Sequence, residues 1–235
     1  MLTLGLAKVL PLALVAGLAG LAVAAAPDRQ ATHSPETAAV AMRDGSRLAV
    51  ARYEVSRAEW QACYDRGGCS FLPKSPGSED AAYPVTGVNR FDVEEYISWI
   101  NGRTGQSWRL PTAAEWHELA GHETRGAAKK LFTDPRLAWA AGYGTMERVP
   151  KRLRPRGGFG SAANGVADLA GNVWEWTSTC ARNDAGIADA AHCPALLAGG
   201  LHEAAISVFV RDPASGGCAL GTPPANIGFR LVADL

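Results

Sequence analysis

The chain has 235 residues, 47% of them hydrophobic and 20% charged, enough apolar material for one globular domain plus a tail. Its 23 basic and 23 acidic side chains cancel, and no basic stripe carries interleaved aromatics, which excludes a general nucleic-acid binder. Seven tryptophans and 26 glycines point to a loop-rich domain rather than a helical bundle or a repeat array.

Residues 1–26 read as a signal peptide. Lys8 and the terminal amine supply positive charge, Val9 to Ala26 is apolar apart from Pro11 and small residues, and Ala22-Val-Ala24 and Ala24-Ala-Ala26 are both small-x-small cleavage sites. An uncleaved anchor is the alternative, since the run approaches bilayer-spanning length. Membrane contact is expected only through this segment. No cysteine precedes Cys63, which excludes a lipid-modified cysteine at the cleavage site.

Export to a periplasmic or extracellular space implies an oxidising compartment, where the five cysteines read as disulfides. Cys63 and Cys69 enclose a tight polar loop, and Cys180 and Cys193 flank a polar, alanine-rich insertion. Cys218 is left over and reads as a free thiol.

Residues 27–46 are polar, with Pro27, Pro35 and Gly45, and read as a linker to a domain over 47–235. Arg47 to Val55 carries a strand signal. Ser56-Arg-Ala-Glu59 is a capping box that opens a helix, with Trp60, Cys63 and Tyr64 on its inner face. Phe71 to Pro84 is a proline-rich loop. Asn89 caps a second helix whose stripe is Val93, Tyr96, Ile97 and Ile100, and Gly102 is its stop. A short hairpin is expected at Gln106–Leu110. Thr112-Ala-Ala-Glu115 is a second capping box, with Trp116, Leu119 and Ala120 facing inward.

From Gly121 to Asn164 the pattern dissolves into a long loop. Its basic run, Arg148, Lys151, Arg152, Arg154 and Arg156, reads as a solvated face, with an anionic partner as the alternative. Short strands follow at Trp174–Thr177, Ile206–Arg211 and Gly228–Val232. Two fair helices and many short strands give an α+β class.

Most catalytic signatures are absent. His117 and His122 are five apart, so one helix cannot present both to zinc. No dinucleotide fingerprint and no nucleophile elbow occur. The informative stretch is Gly165-Val-Ala-Asp168-Leu-Ala-Gly171-Asn-Val173-Trp174-Glu175-Trp176-Thr177. Two carboxylates flank a glycine, which lets the backbone turn sharply, and two tryptophans share one face of an extended segment. An oxygen-rich loop backed by aromatic bulk suits a hard cation such as calcium.

That stretch resembles the signature of the formylglycine-generating-enzyme family, the sulfatase-modifying factors. Tyr53-Glu-Val-Ser-Arg-Ala-Glu-Trp60, Trp108-Arg-Leu-Pro-Thr-Ala-Ala-Glu-Trp116 and Asn226-Ile-Gly-Phe-Arg-Leu231 are similar to further segments of that family in the same order. The resemblance implies an irregular C-type-lectin-like fold, and exported members often carry cysteines at both paired positions. It implies one structural calcium site on Asp168, Gly171, Val173 and Glu175. It also implies recurring arginines at Arg109, Arg211 and Arg230, either lining a pocket or paired with carboxylates such as Glu115 or Glu175.

The family's oxidation uses copper and two cysteines five apart, the first about four residues after a Gly-Gly pair. After Gly199-Gly200 those positions hold Ala204 and Phe209, so copper and formylglycine oxidation are not expected. The reading is a calcium-stabilised binding or accessory domain for an unidentified protein or small molecule. An enzyme of different chemistry and a structural envelope component are the alternatives.

Overall fold

The computed structural model describes residues 34–74, 81–121, 152–181, 193–201, 203–213 and 226–235. All belong to one compact unit, 33–235, distinct from residues 1–32. The stretch read as a signal peptide, Arg148, Lys151, His122 and Cys218 lie outside the described residues. Among those described, no helix is long and apolar enough to cross a membrane.

The first strand, β1 (Thr37–Ala41), falls in the stretch read as linker. Its alternation buries Ala38 and Val40, and it pairs antiparallel with β2 (Arg47–Ala51). The turn between them is local chemistry: Asp44 accepts from the Ser46 amide and hydroxyl at 2.9 and 2.6 Å, and Gly45 takes φ +89°. Gly45 therefore makes a hairpin rather than a linker, and the folded domain starts before residue 47.

Three helices form where their caps place them. These are α1 (Arg57–Asp65), α2 (Arg90–Thr104) and α3 (Ala113–Ala120), opened by Ser56, Asn89 and Thr112 with reciprocal capping boxes to Glu59, Asp92 and Glu115. Three details differ from the sequence reading. Tyr64 is 40% exposed, because α1 buries only Trp60 and Cys63. Gly102 sits inside α2, which stops at Gly105 in the left-handed region. Gln106–Leu110 makes no hairpin: Asn101 clamps the Trp108 amide and carbonyl at 2.7 and 3.0 Å, and Arg109 bridges Val232.

Three strands follow: β3 (Trp174–Cys180), β4 (Ala195–Gly199) and β5 (Ala204–Ser207). The chain closes with β6 (Ile227–Gly228) and β7 (Val232–Asp234). One sheet has the order β1-β2-β7 and the other β5-β4-β3-β6, with β6 parallel to β3. The strand expected at 206–211 is thus earlier and shorter. After Ser207 the chain turns, and Arg211 leaves the sheet to pair with Asp92. The strand expected at 228–232 is split. Phe229 to Leu231 runs between the sheets, where the Val55 and Ala51 amides donate to the carbonyls of Phe229 and Leu231. Cys63–Cys69 and Cys180–Cys193 are disulfides.

Candidate functional site

The segment leading into β3 turns sharply, though not at Gly171. Asp168 and Asn172 hold the left-handed positions, φ +63° and +72°. Gly171 is needed for closeness instead: a Cβ there would stand 2.6 Å from the Phe159 ring. The Asp168 carboxylate is buried and accepts from the amides of Gly157 and Phe159, tying residues 157–159 to this loop.

Along β3 the alternation separates two environments. Trp174 and Trp176 share one face, and Trp176 donates to the Val88 carbonyl at 3.0 Å. Glu175 points the other way and is fully buried. Its Oε1 accepts from Arg230 Nη2 at 2.6 Å, and its Oε2 from Arg230 Nε at 2.6 Å and Trp116 Nε1 at 2.7 Å. The remaining Arg230 N–H groups donate to the carbonyls of Ala51, Arg52 and Ala167. The guanidinium's five donors are thereby used, so none is buried without an acceptor. Burial works against the Arg230 charge, but Glu175, Glu54 and Asp168 together outweigh it and the pKa is raised.

Sequence reasoning gave Glu54 no role, although Tyr53-Glu-Val was in a quoted motif. It is buried beside this pair, and neither of its oxygens has a hydrogen-bond partner. Loss of hydration pushes its pKa well up, with Glu175 and Asp168 pushing the same way and Arg230 opposing. Three buried carboxylates therefore face one guanidinium.

That balance bears on the calcium expected at Asp168, Gly171, Val173 and Glu175. The excess of buried negative charge suits a cation or a proton, but the oxygens without a partner are those of Glu54, outside the expected set, while both oxygens of Asp168 and of Glu175 already accept hydrogen bonds. No three His, Cys, Asp or Glu side chains among the described residues are grouped for a metal ion. A cation here would hence rely on Asp168 and Glu175 plus backbone carbonyls such as those of Gly171 and Val173.

The other two expected arginines are also paired. Arg109 forks onto Glu115 at 2.8 Å through both Nη atoms and reaches Asp234 at 2.6 Å. Its hydrogen bonds hold the Glu115 carboxyl below the usual carboxylate range. Arg211 grips Asp92 at 2.7 Å through two nitrogens and lies 3.8 Å from the centre of the Phe71 ring. None of Arg109, Arg211 and Arg230 lines the pocket described next.

That pocket, about 360 Å³, opens at the head of β3. Its walls are Phe159, Ala170 to Trp174, Gly200, Leu201 and Asn226, with Arg152 and Arg154 at its side. Of the glycine pair, Gly200 is in its wall and Gly199 packs behind it. A Cβ on Gly199 would lie 2.3 Å from Trp116, and one on Gly200 would lie 2.4 Å from Trp174. Beyond the pair, Ala204 is sealed in the core, whereas Phe209 is 71% exposed with its ring 5.3 Å from that of Phe91. A larger depression of about 760 Å³ along α1 is flatter and mixes Arg57 and Arg66 with Asp65.

The profile described as the sulfatase-modifying factor enzyme 1-like domain matches residues 17–235. The chain belongs to that family. It is 28% identical over 122 residues to a hercynine oxygenase of Mycolicibacterium smegmatis, covering 51% of this chain and 26% of that protein. It is 28% identical over 207 residues to a formylglycine-generating enzyme of Mycobacterium tuberculosis, covering 75% of this chain and 67% of that one. The chain therefore spans about a quarter of the first relative and two thirds of the second. PvdO from Pseudomonas aeruginosa shares the fold at TM-score 0.56, with 20% identity and 81% and 82% of the two chains covered. The fold is the loop-rich, C-type-lectin-like α+β fold expected for the family.

Proposed function

We propose that this domain keeps the family's frame and not its thiol–copper chemistry, and acts outside the cytoplasm as a calcium-stabilised binding or accessory domain. The observation that carries the proposal is the pair Ala204 and Phe209. One is a methyl group sealed in the core and the other a phenyl ring facing water. Neither can hold Cu(I) or exchange a thiol. The pocket beside Gly200 has a size suited to a small ligand or a peptide side chain.

Two disulfides support an oxidising compartment. Asp168, Glu175 and the carbonyls of Gly171 and Val173 would hold calcium, which would neutralise buried charge and take no part in bond making.

The test is purified protein, loaded with copper in air, and a Cys-x-Pro-x-Arg peptide. Mass spectrometry is expected to find the cysteine intact; conversion to formylglycine would overturn the proposal. A second reading, oxidative chemistry of another kind, is favoured by the match to a protein named hercynine oxygenase. Tightly held iron or copper in protein freed of calcium would support it.

A further inference from the structure

We propose that the pocket at the head of β3 takes an anionic ligand with a flat apolar body, an aromatic carboxylate being the simplest case; this rests on the binding reading above. Charge comes first. Arg152 and Arg154 line the pocket, and among the described residues no carboxylate does. A ligand carboxylate would meet guanidinium donors with no like charge on the lining.

Those two arginines differ from the rest of the set. Arg109, Arg211 and Arg230 each face a carboxylate at 2.6 to 2.8 Å, so their forks are already occupied. Among the described residues Arg154 has one side-chain hydrogen bond, from Nη1 to the Gly158 carbonyl at 2.9 Å. Its guanidinium carbon lies 4.8 Å from the Phe159 ring centre, and its amide donates to Asn172 Oδ1 at 3.0 Å. It is thus positioned but keeps most of its five donors. Arg152 has no hydrogen-bond or ion-pair partner among the described residues. It belongs to the basic run that the sequence alone assigned to a solvated face.

The body of the ligand follows from the walls. Phe159, Val173, Trp174 and Leu201 are apolar, and two of them are fixed by close contact with Gly171 and Gly200. Walls already packed this tightly need little ordering when a flat group enters.

The experiment is calorimetric titration of the full chain with indole-3-acetate and with indole-3-acetamide, which match in shape and differ in charge. Indole-3-acetate is expected to bind at least about tenfold tighter than the amide, with an advantage that shrinks as salt is added. In R152Q/R154Q the two affinities are expected to converge while that for the amide stays within about twofold. Equal affinities in the native chain would overturn the anion assignment and leave the binding reading standing. An advantage insensitive to salt, or no binding of indole-3-acetate, would overturn the assignment too. Formylglycine formation in the copper assay would instead sink the reading beneath it.

Discussion

Arginine serves this domain in two opposite settings. Arg230 is fully buried between the sheets with its N–H groups donating to Glu175 and three carbonyls. Arg152 and Arg154 are exposed beside a pocket, with donors to spare. The same side chain is framework in the first place and available for recognition in the second. The deciding quantity is how many of its five donors the fold has already used, not the charge itself. The substitutions below separate the two settings.

The largest effect is expected from breaking the buried pair. Arg230→Met would leave Glu175 and two neighbouring carboxylates without their counter-charge. Removing one partner of a buried pair costs about 3–5 kcal/mol, so urea unfolding should show a loss of that order. A loss below about 1 kcal/mol would mean the pair is solvated, as surface pairs are.

Removal of calcium comes next. A ligand bound only by the folded state adds about 2.7 kcal/mol at a hundredfold excess over Kd. Chelator should lower the melting temperature, and calcium should restore it more fully than magnesium, which fits carbonyl-rich loops poorly. Glu175→Gln should blunt that response. Melting curves unaffected by chelator, in protein shown to be metal-free, would leave the loop to Arg230 alone.

The adjacent glycines face the two settings separately. Gly199→Ala drives a methyl into Trp116, which is bonded to Glu175, and should cost about 1–3 kcal/mol. Gly200→Ala presses on Trp174 instead, so its clearer effect should be lost ligand affinity.

Legibility in the sequence follows the same division. The three helix starts were readable because capping is local: two showed a capping box complete within four residues and the third showed its Asn89 cap. That these arginines pair with carboxylates such as Glu115 or Glu175 was readable for Arg109, Arg211 and Arg230 as one alternative, because all lie in or near quoted motifs; which pairs with which comes from the fold. Strand β1 was not, since Thr37-Ala-Ala-Val-Ala41 alternates small residues in a polar stretch and becomes a strand only against β2. Glu54 carried no signal of its own: what distinguishes it is the three charged side chains that the fold brings around it. Arg152 and Arg154 looked like any charge run, and their pocket exists only once Gly200 and Leu201 arrive from the far side of the chain.

Glu54 yields a smaller, pH-dependent effect. Its folded pKa is raised above the unfolded value, chiefly by burial. The stability it confers is therefore complete below the ordinary carboxylate range and is lost as pH rises through the folded pKa. Glu54→Gln, neutral at every pH, should gain on the native chain as melting is followed from pH 4 to pH 8. A constant difference across that range would place Glu54 in a solvated setting.

The smallest effect on stability, and the most direct test, belongs to the pocket arginines. The measurement is the melting temperature of the native chain and of R152Q/R154Q, each with and without indole-3-acetate. The prediction is near-equal melting without ligand, an upward shift with ligand in the native chain, and no shift in the variant. An equal shift in both would contradict the account, because it would show that the free arginines do not distinguish the pocket from the framework.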